Sequence, residues 1–156
     1  MSYTLATLKS TVQDYFQVNE TTFNSNLNTF IQESESRIFK MVQLPQQRKN
    51  VTGTASQNNR FLATPSDFTV ELHYLHKPTS LTSGADSGTT LLSTDHPDPL
   101  LYGTLVEAAV FLKEDPSVIG AFEARFKEGI ARMKNLTEGR DTRDEYRYDL
   151  LRTGVS

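Results

Sequence analysis

Residues 98–116 read DPLLYGTLVEAAVFLKEDP, a stretch bracketed by two Asp-Pro pairs. Each pair is a helix-start signal. The aspartate can accept from the unpaired backbone N–H groups of a first turn, and the proline, which lacks an N–H, suits the first helical position. Between them Leu101, Leu105, Ala108, Ala109 and Leu112 recur at spacings of three and four, which predicts a helix over about 98–114. Downstream, Ile119, Phe122, Phe126, Ile130, Met133 and Leu136 keep the same spacing and predict a second helix over about 116–138. Glu123/Lys127 and Glu128/Arg132 are i,i+4 pairs on its polar side, and Gly139 is a plausible C-cap. So short a connection makes the two helices an antiparallel hairpin.

Upstream of this hairpin, Leu5, Leu8, Val12, Tyr15 and Phe16 mark a helix over about 4–18, with Thr4 placed to cap it. Phe23, Leu27, Phe30, Ile31, Ser34, Ile38 and Met41 mark another over about 21–42, closed by Pro45. Glu33 and Arg37 sit at i,i+4 on its polar side. From 49 to 76 the texture turns to strand. Val51–Ala55 and Arg60–Ala63 flank the turn signal Gln57-Asn58-Asn59 and read as a hairpin, and Val70, Leu72 and Tyr74 alternate with Glu71, His73 and Leu75. Residues 77–96 read as a loop of Ser, Thr, Gly, Pro and Asp. A structureless loop of that length is uncommon in a compact domain and is expected to reach a neighbour or to move. The fold class expected is α+β: an antiparallel four-helix bundle with a small inserted antiparallel sheet and an extended C-terminal arm. Residues 1–139 form the domain and 140–156 the arm.

Composition narrows the function. A chain of 156 residues with net charge −3 has no basic excess to suit a dedicated nucleic-acid binder. The absence of cysteine excludes disulfide scaffolds, thiol catalysis and Cys-based zinc sites. No apolar run approaches the roughly 20 residues that cross a bilayer. The amphipathic start, Met1 to Phe16, does not read as a secretory signal, so the expectation is a soluble protein of a cytosol-like compartment or a particle.

Motifs for chemistry are missing, and no catalytic residue, cofactor or metal ligand is assigned. His73 and His76 are three apart on a strand and point to opposite faces, and His96 reads as an exposed loop residue. The glycine-rich run 83–88 lacks the Lys-Ser/Thr of a phosphate cradle, and no Gly-x-Ser-x-Gly elbow occurs. Glu107, beside Ala108 and Ala109, comes closest to a placed acid, and a rim position suits it better. The tail RDTRDEYRYDLLRTGVS is too short to bury its own apolar groups. A frayed end is the plain reading, yet Tyr146, Tyr148, Leu150 and Leu151 among arginines favour an arm that orders on a partner.

One resemblance goes further. The helices at the start, the segment Leu62-Ala63-Thr64-Pro65-Ser66-Asp67-Phe68, and His96-Pro97-Asp98-Pro99-Leu100-Leu101-Tyr102-Gly103-Thr104-Leu105-Val106-Glu107-Ala108-Ala109 followed by Phe111-Leu112-Lys113-Glu114-Asp115 resemble the head-to-tail adaptor proteins of tailed bacteriophages. Phe122 and Phe126 are similar to aromatics of the next helix there, and the likeness covers roughly 3–135. Tyr-Gly-x-Leu-x-Glu-Ala is its most specific part. The family usually carries a longer β-insertion after its Asp-Phe than this chain does.

The resemblance implies a virion structural role and no enzyme activity. Such adaptors form a ring, typically of twelve copies, under the portal protein. They extend the DNA channel, let packaged double-stranded DNA pass without sequence-specific binding, and offer a surface to the next neck or tail protein. They lie in the neck after assembly in the host cytoplasm, away from any membrane. Carried over, Arg140, Arg143, Tyr146, Arg147, Tyr148, Leu150, Leu151 and Arg152 become the expected portal-docking residues. Tyr102, Val106 and Val110 are either ring contacts or part of the helical core, and the core reading is preferred. Two other classes fit less well. A small DNA-binding or packaging accessory protein needs a basic face, and an acid-site enzyme needs clustered carboxylates.

Overall fold

The computed structural model describes residues 2–44, 47–55 and 68–152, with 54–55, 68 and 138–152 as backbone. The fold is α+β, mostly helical. Its elements in order are α1 (Leu5–Phe16), α2 (Thr21–Met41), β1 (Arg48–Ala55), β2 (Phe68–Leu75), a short 3₁₀ turn at Leu81–Ser83, α3 (Leu91–Asp95), α4 (Pro97–Leu112) and α5 (Pro116–Arg152). Two compact units divide them: Met1–Gln43 with Thr79–Ser156 holds the helices, and Leu44–Pro78 holds the strands. Among the described residues no helix is long and apolar enough to cross a membrane.

In the helical unit α4 is the hub, packed against α1, α2, α3 and α5. Its sequence explains this. Pro99, Leu100, Leu101, Gly103, Thr104, Leu105, Val106, Ala108 and Ala109 are all buried, so apolar residues line almost its whole circumference. A helix apolar all round belongs inside. The single stripe expected from 101, 105, 108, 109 and 112 was therefore too narrow. Val106 is core and Tyr102 half-buried, while Val110 points outward at 55% exposure.

Two glycines set the spacing. A Cβ on Gly103 would collide with the Ser34 hydroxyl of α2 and come within 3.0 Å of the Phe126 ring of α5. A Cβ on Gly129 would lie 3.1 Å from the ring of Pro99 in the first turn of α4. The Ser34 hydroxyl and that of Thr104 both donate to the Leu100 carbonyl, so the polar atoms at this crossing are paired. Phe23, Leu27, Ile31 and Ile38 of α2 and Phe126, Ile130 and Met133 of α5 complete the core. Leu136, expected on that apolar face, is exposed.

Residues 77–96 do not form a structureless loop. Ser80 caps the 3₁₀ turn, and Thr90 and Ser93 cap α3 reciprocally. Leu81, Leu92 and Ser93 are buried. The segment straps α1 to α2. The Asp86 and Gly88 carbonyls accept from the Ala6 and Leu5 N–H groups, which have no partner within α1. On the other side the buried Glu35 carboxylate accepts the Leu81 N–H at 3.0 Å, and Gln32 donates to Thr82 at 2.7 Å. A composition that looks like a mobile loop is here the partner set of a helix N-terminus.

Other boundaries shift as well. Thr4 caps α1 in a box with Thr7, as expected. Asp115 caps α5, its carboxylate accepting the Ser117 N–H at 2.8 Å. By contrast α4 starts at Pro97, one residue before the expected Asp98 cap, because His96-Pro97 itself supplies a proline for the first helical position. Gly139 does not end the last helix, which continues to Arg152. No proline follows to stop it, and a mid-helix glycine costs only about 1 kcal/mol. The segment 140–152 is thus helical backbone rather than an extended arm.

In the second unit β1 and β2 pair antiparallel in one continuous register, Arg48 opposite Leu75 through Ala55 opposite Phe68. The expected hairpin partner of β1, Arg60–Ala63, lies outside the described residues.

Substituting Gly103→Ala should lower stability by about 1–3 kcal/mol, since overpacking outweighs the gain in helix propensity. Gly120→Ala, with open space around its Cβ position in α5, should instead raise stability by about 0.5–1 kcal/mol. Urea midpoints of the two variants against wild type measure both.

Candidate docking interface

The Tyr-Gly-x-Leu-x-Glu-Ala stretch lies on α4, and each of its distinctive positions meets a neighbour. Gly103 is the close approach to α2 and α5. Leu105 and Ala108 are fully buried. Glu107 pairs with Arg37 of α2 at 3.6 Å. Arg37 also donates to Glu123 of α5 at 3.1 Å and lies 4.8 Å above the centroid of the Phe126 ring. Lys127 joins Glu123 at 3.4 Å. Arg37 therefore reaches across to two helices instead of along its own to Glu33. The expected helix pair is replaced by a three-helix cross-link because a half-buried guanidinium over an aromatic face gains more than an exposed pair. Glu107 is a structural acid of this link. Among the described residues no group of three or more His, Asp or Glu side chains is placed to hold a metal.

A row of aromatic rings joins four helices. Tyr15 and Phe16 of α1 meet Phe122 of α5 at 6.2 and 6.0 Å between centroids. Phe16 meets Phe23 of α2, and Phe23 and Phe30 meet Phe111 of α4, the last pair at 5.3 Å. Edge and tilted contacts at these distances suit aromatic quadrupoles. The outer members, Tyr15 and Phe111, stay exposed, as does Val110 next to Phe111 on α4. Val110 and Phe111 are thus the exposed apolar pair at one end of the row.

The residues expected to dock on a portal, Arg140, Arg143, Tyr146, Arg147, Tyr148, Leu150, Leu151 and Arg152, all fall on the last turns of α5. In a helical backbone, positions 140, 143, 147, 150 and 151 follow the spacing of one helix side. Sequence reading had no signal for this, since it ended the helix at Gly139.

A family model described as SU10 adaptor protein matches residues 56–153, more than half of the chain. The chain belongs to the SU10 adaptor protein family. This is a family of phage structural proteins rather than of enzymes, and the match runs through both the Tyr-Gly stretch and the C-terminal part of α5. No curated protein matches the chain.

The adaptor's α3–α4 junction carries a titrating group. Burial pushes His96 below its ordinary 6.5, with Asp95 pulling partly the other way. Below pH 6.5 the unfolded chain takes up a proton that the folded chain resists. Stability should therefore fall as pH drops from 6.5 through the folded value, then level off. Thermal melts between pH 8 and pH 4 should show this step, and His96→Gln should flatten it.

Proposed function

We propose that this protein is the head-to-tail adaptor of a tailed phage. It forms a ring, of about twelve copies, beneath the portal protein. It extends the DNA channel and presents a surface to the next neck or tail protein. The observation that carries this reading is the adaptor family match over residues 56–153. The exposed Val110–Phe111 pair of α4 supports self-association, because apolar surface of this kind is covered in an assembly. The charge supports a passive channel. A net −3 per copy, multiplied around a ring, gives a strongly negative collar, and acidic groups towards the bore repel DNA and let it slide. The place of the protein is then the virion neck, after assembly in the host cytoplasm.

In this reading the C-terminal part of α5 is the portal-docking element, with Arg140, Arg143, Tyr146, Arg147, Tyr148, Leu150, Leu151 and Arg152 as its contact residues. The support is its make-up. Four arginines and two Leu/Tyr groups stand on a helix that runs past the core residues ending at Met133. A segment with no core of its own gains its burial on a partner.

Electron microscopy of the protein mixed with the portal ring of the same genome tests this reading. The full chain should add a collar to the portal. A chain ending at Gly139 should keep the helical circular dichroism of the core and add none. A truncated chain that still docks would assign the contact elsewhere, and a full chain that adds no collar would reject the adaptor position.

A further inference from the structure

The two halves of α5 are charged in different ways. In the half that packs on α4, unlike charges stand one turn apart and pair with each other: Lys127 reaches Glu123 at 3.4 Å, and Arg132 donates to Glu128. Beyond Gly139 the same helix sorts its charges by sign. Arg140, Arg143 and Arg147 follow one another at spacings of three and four, and Asp141, Glu145 and Asp149 at a spacing of four. Each row sets like charges on neighbouring turns, which weakens a helix standing alone. Asp144 lies between the rows, one turn from both Arg140 and Arg147. Arg152 follows Asp149 at the helix C-terminus, where a cation suits the dipole. At about 100° per residue the two rows lie on nearly opposite sides of the helix.

We propose that the α5 extensions of neighbouring copies pack side by side, the arginine row of one against the acidic row of the next. The proposal rests on the ring reading above, and it gives the docking element a second contact, with its own copies. Rotation about a ring axis repeats each helix parallel to its neighbour and at the same level, and a head-to-tail contact of this kind uses two different surfaces of one chain. The register fits. Arg140 stands one residue from the level of Asp141, and Arg143 and Arg147 stand two from Glu145 and Asp149, offsets of at most about 3 Å along the axis. Two-fold pairing does not fit. The rows lie on opposite sides, so a single two-fold contact engages one row and opposes it to itself.

The junction is more than charge. Leu151 continues the arginine row by four residues and Tyr148 the acidic row by three, so an apolar pair at nearly one level closes each seam. One exposed ion pair is worth little, but rows repeated at every junction act as a network. Tyr146 and Leu150 fall off both rows, on a third side of the helix, and stay with the portal contact. The three arginines then serve that contact by setting the helices next to one another.

Charge exchange tests this. One chain carries Arg140→Glu, Arg143→Glu and Arg147→Glu, which makes both rows acidic. A second carries Asp141→Lys, Glu145→Lys and Asp149→Lys, which makes both basic. Each is imaged with the portal ring, alone and in an equal mixture, beside the wild type. Either chain alone should lose at least tenfold in collar occupancy. The mixture should restore it, because acidic and basic chains can alternate around a ring with an even number of copies. A thiol ladder gives a second readout, since the protein has no cysteine of its own. Arg143→Cys and Glu145→Cys in one chain stand on opposite sides of the helix and cannot bond to each other. Oxidised on the portal ring, this chain should give a ladder of covalent multimers, and either single cysteine no more than dimers. A mixture without collars, together with a double-cysteine chain without a ladder, overturns the pairing of rows, and wild-type collars then leave the ring reading standing. If the arginines touch the portal instead, the lysine chain alone keeps its collar and the mixture does no better, which also overturns the pairing. A wild type that adds no collar overturns the ring reading and this proposal with it.

Discussion

The helical unit depends on one close approach. At Gly103 the α4 backbone comes so near to α2 and α5 that no side chain fits between them. Everything around this point is built to permit it. Ser34 is small and turns its hydroxyl onto the Leu100 carbonyl, Thr104 does the same within α4, and the Phe126 ring borders the gap. Outside the crossing, Arg37 ties all three helices with one guanidinium. The most distinctive stretch of the adaptor, Tyr-Gly-x-Leu-x-Glu-Ala, is in this light a packing motif. Its glycine brings the helices together and its glutamate holds the arginine that spans them. The motif specifies the scaffold.

The same economy governs residues 79–96. The start of α1 leaves backbone donors that its own turn cannot satisfy. Carbonyls of Asp86 and Gly88 take them, and the loop that carries these carbonyls is pinned to α2 through Glu35 and Gln32. Gly88 is needed here, since a Cβ would approach the Ala85 carbonyl at 2.9 Å. Glu35 is a buried carboxylate with backbone N–H for a partner, the arrangement under which such a group is tolerated inside.

Sequence and structure agree where the signal is local and disagree where it is not. The helices of this adaptor were legible because their apolar spacings run for several turns, and caps such as Thr4 and Asp115 act within three residues. The hub role of α4 was not, because a helix apolar all round presents no single stripe to read. Arg37 was misassigned to Glu33 because an i,i+4 partner is visible in sequence, whereas Glu107 and Glu123 are brought near only by the fold. Gly139 misled because a glycine marks a helix end only where the following residues refuse to continue the helix. The strap at 79–96 was invisible for a related reason: its task is to accept bonds through backbone carbonyls, which every residue owns. The residues 140–152 expected to dock were picked out by resemblance and composition, and their place on a helix came only with the backbone.

Two segments stand out in this adaptor: the β1–β2 ribbon, with no buried side chain among those described on its strands, and the α5 backbone beyond Met133, the last buried residue among those described. Ordering such segments costs entropy that burial must offset. Their presence in an adaptor follows if burial comes from other chains. The α5 extension offers specific side chains at helical spacing, and so it suits a contact with a different protein. On the proposed adaptor reading, that different protein is the portal.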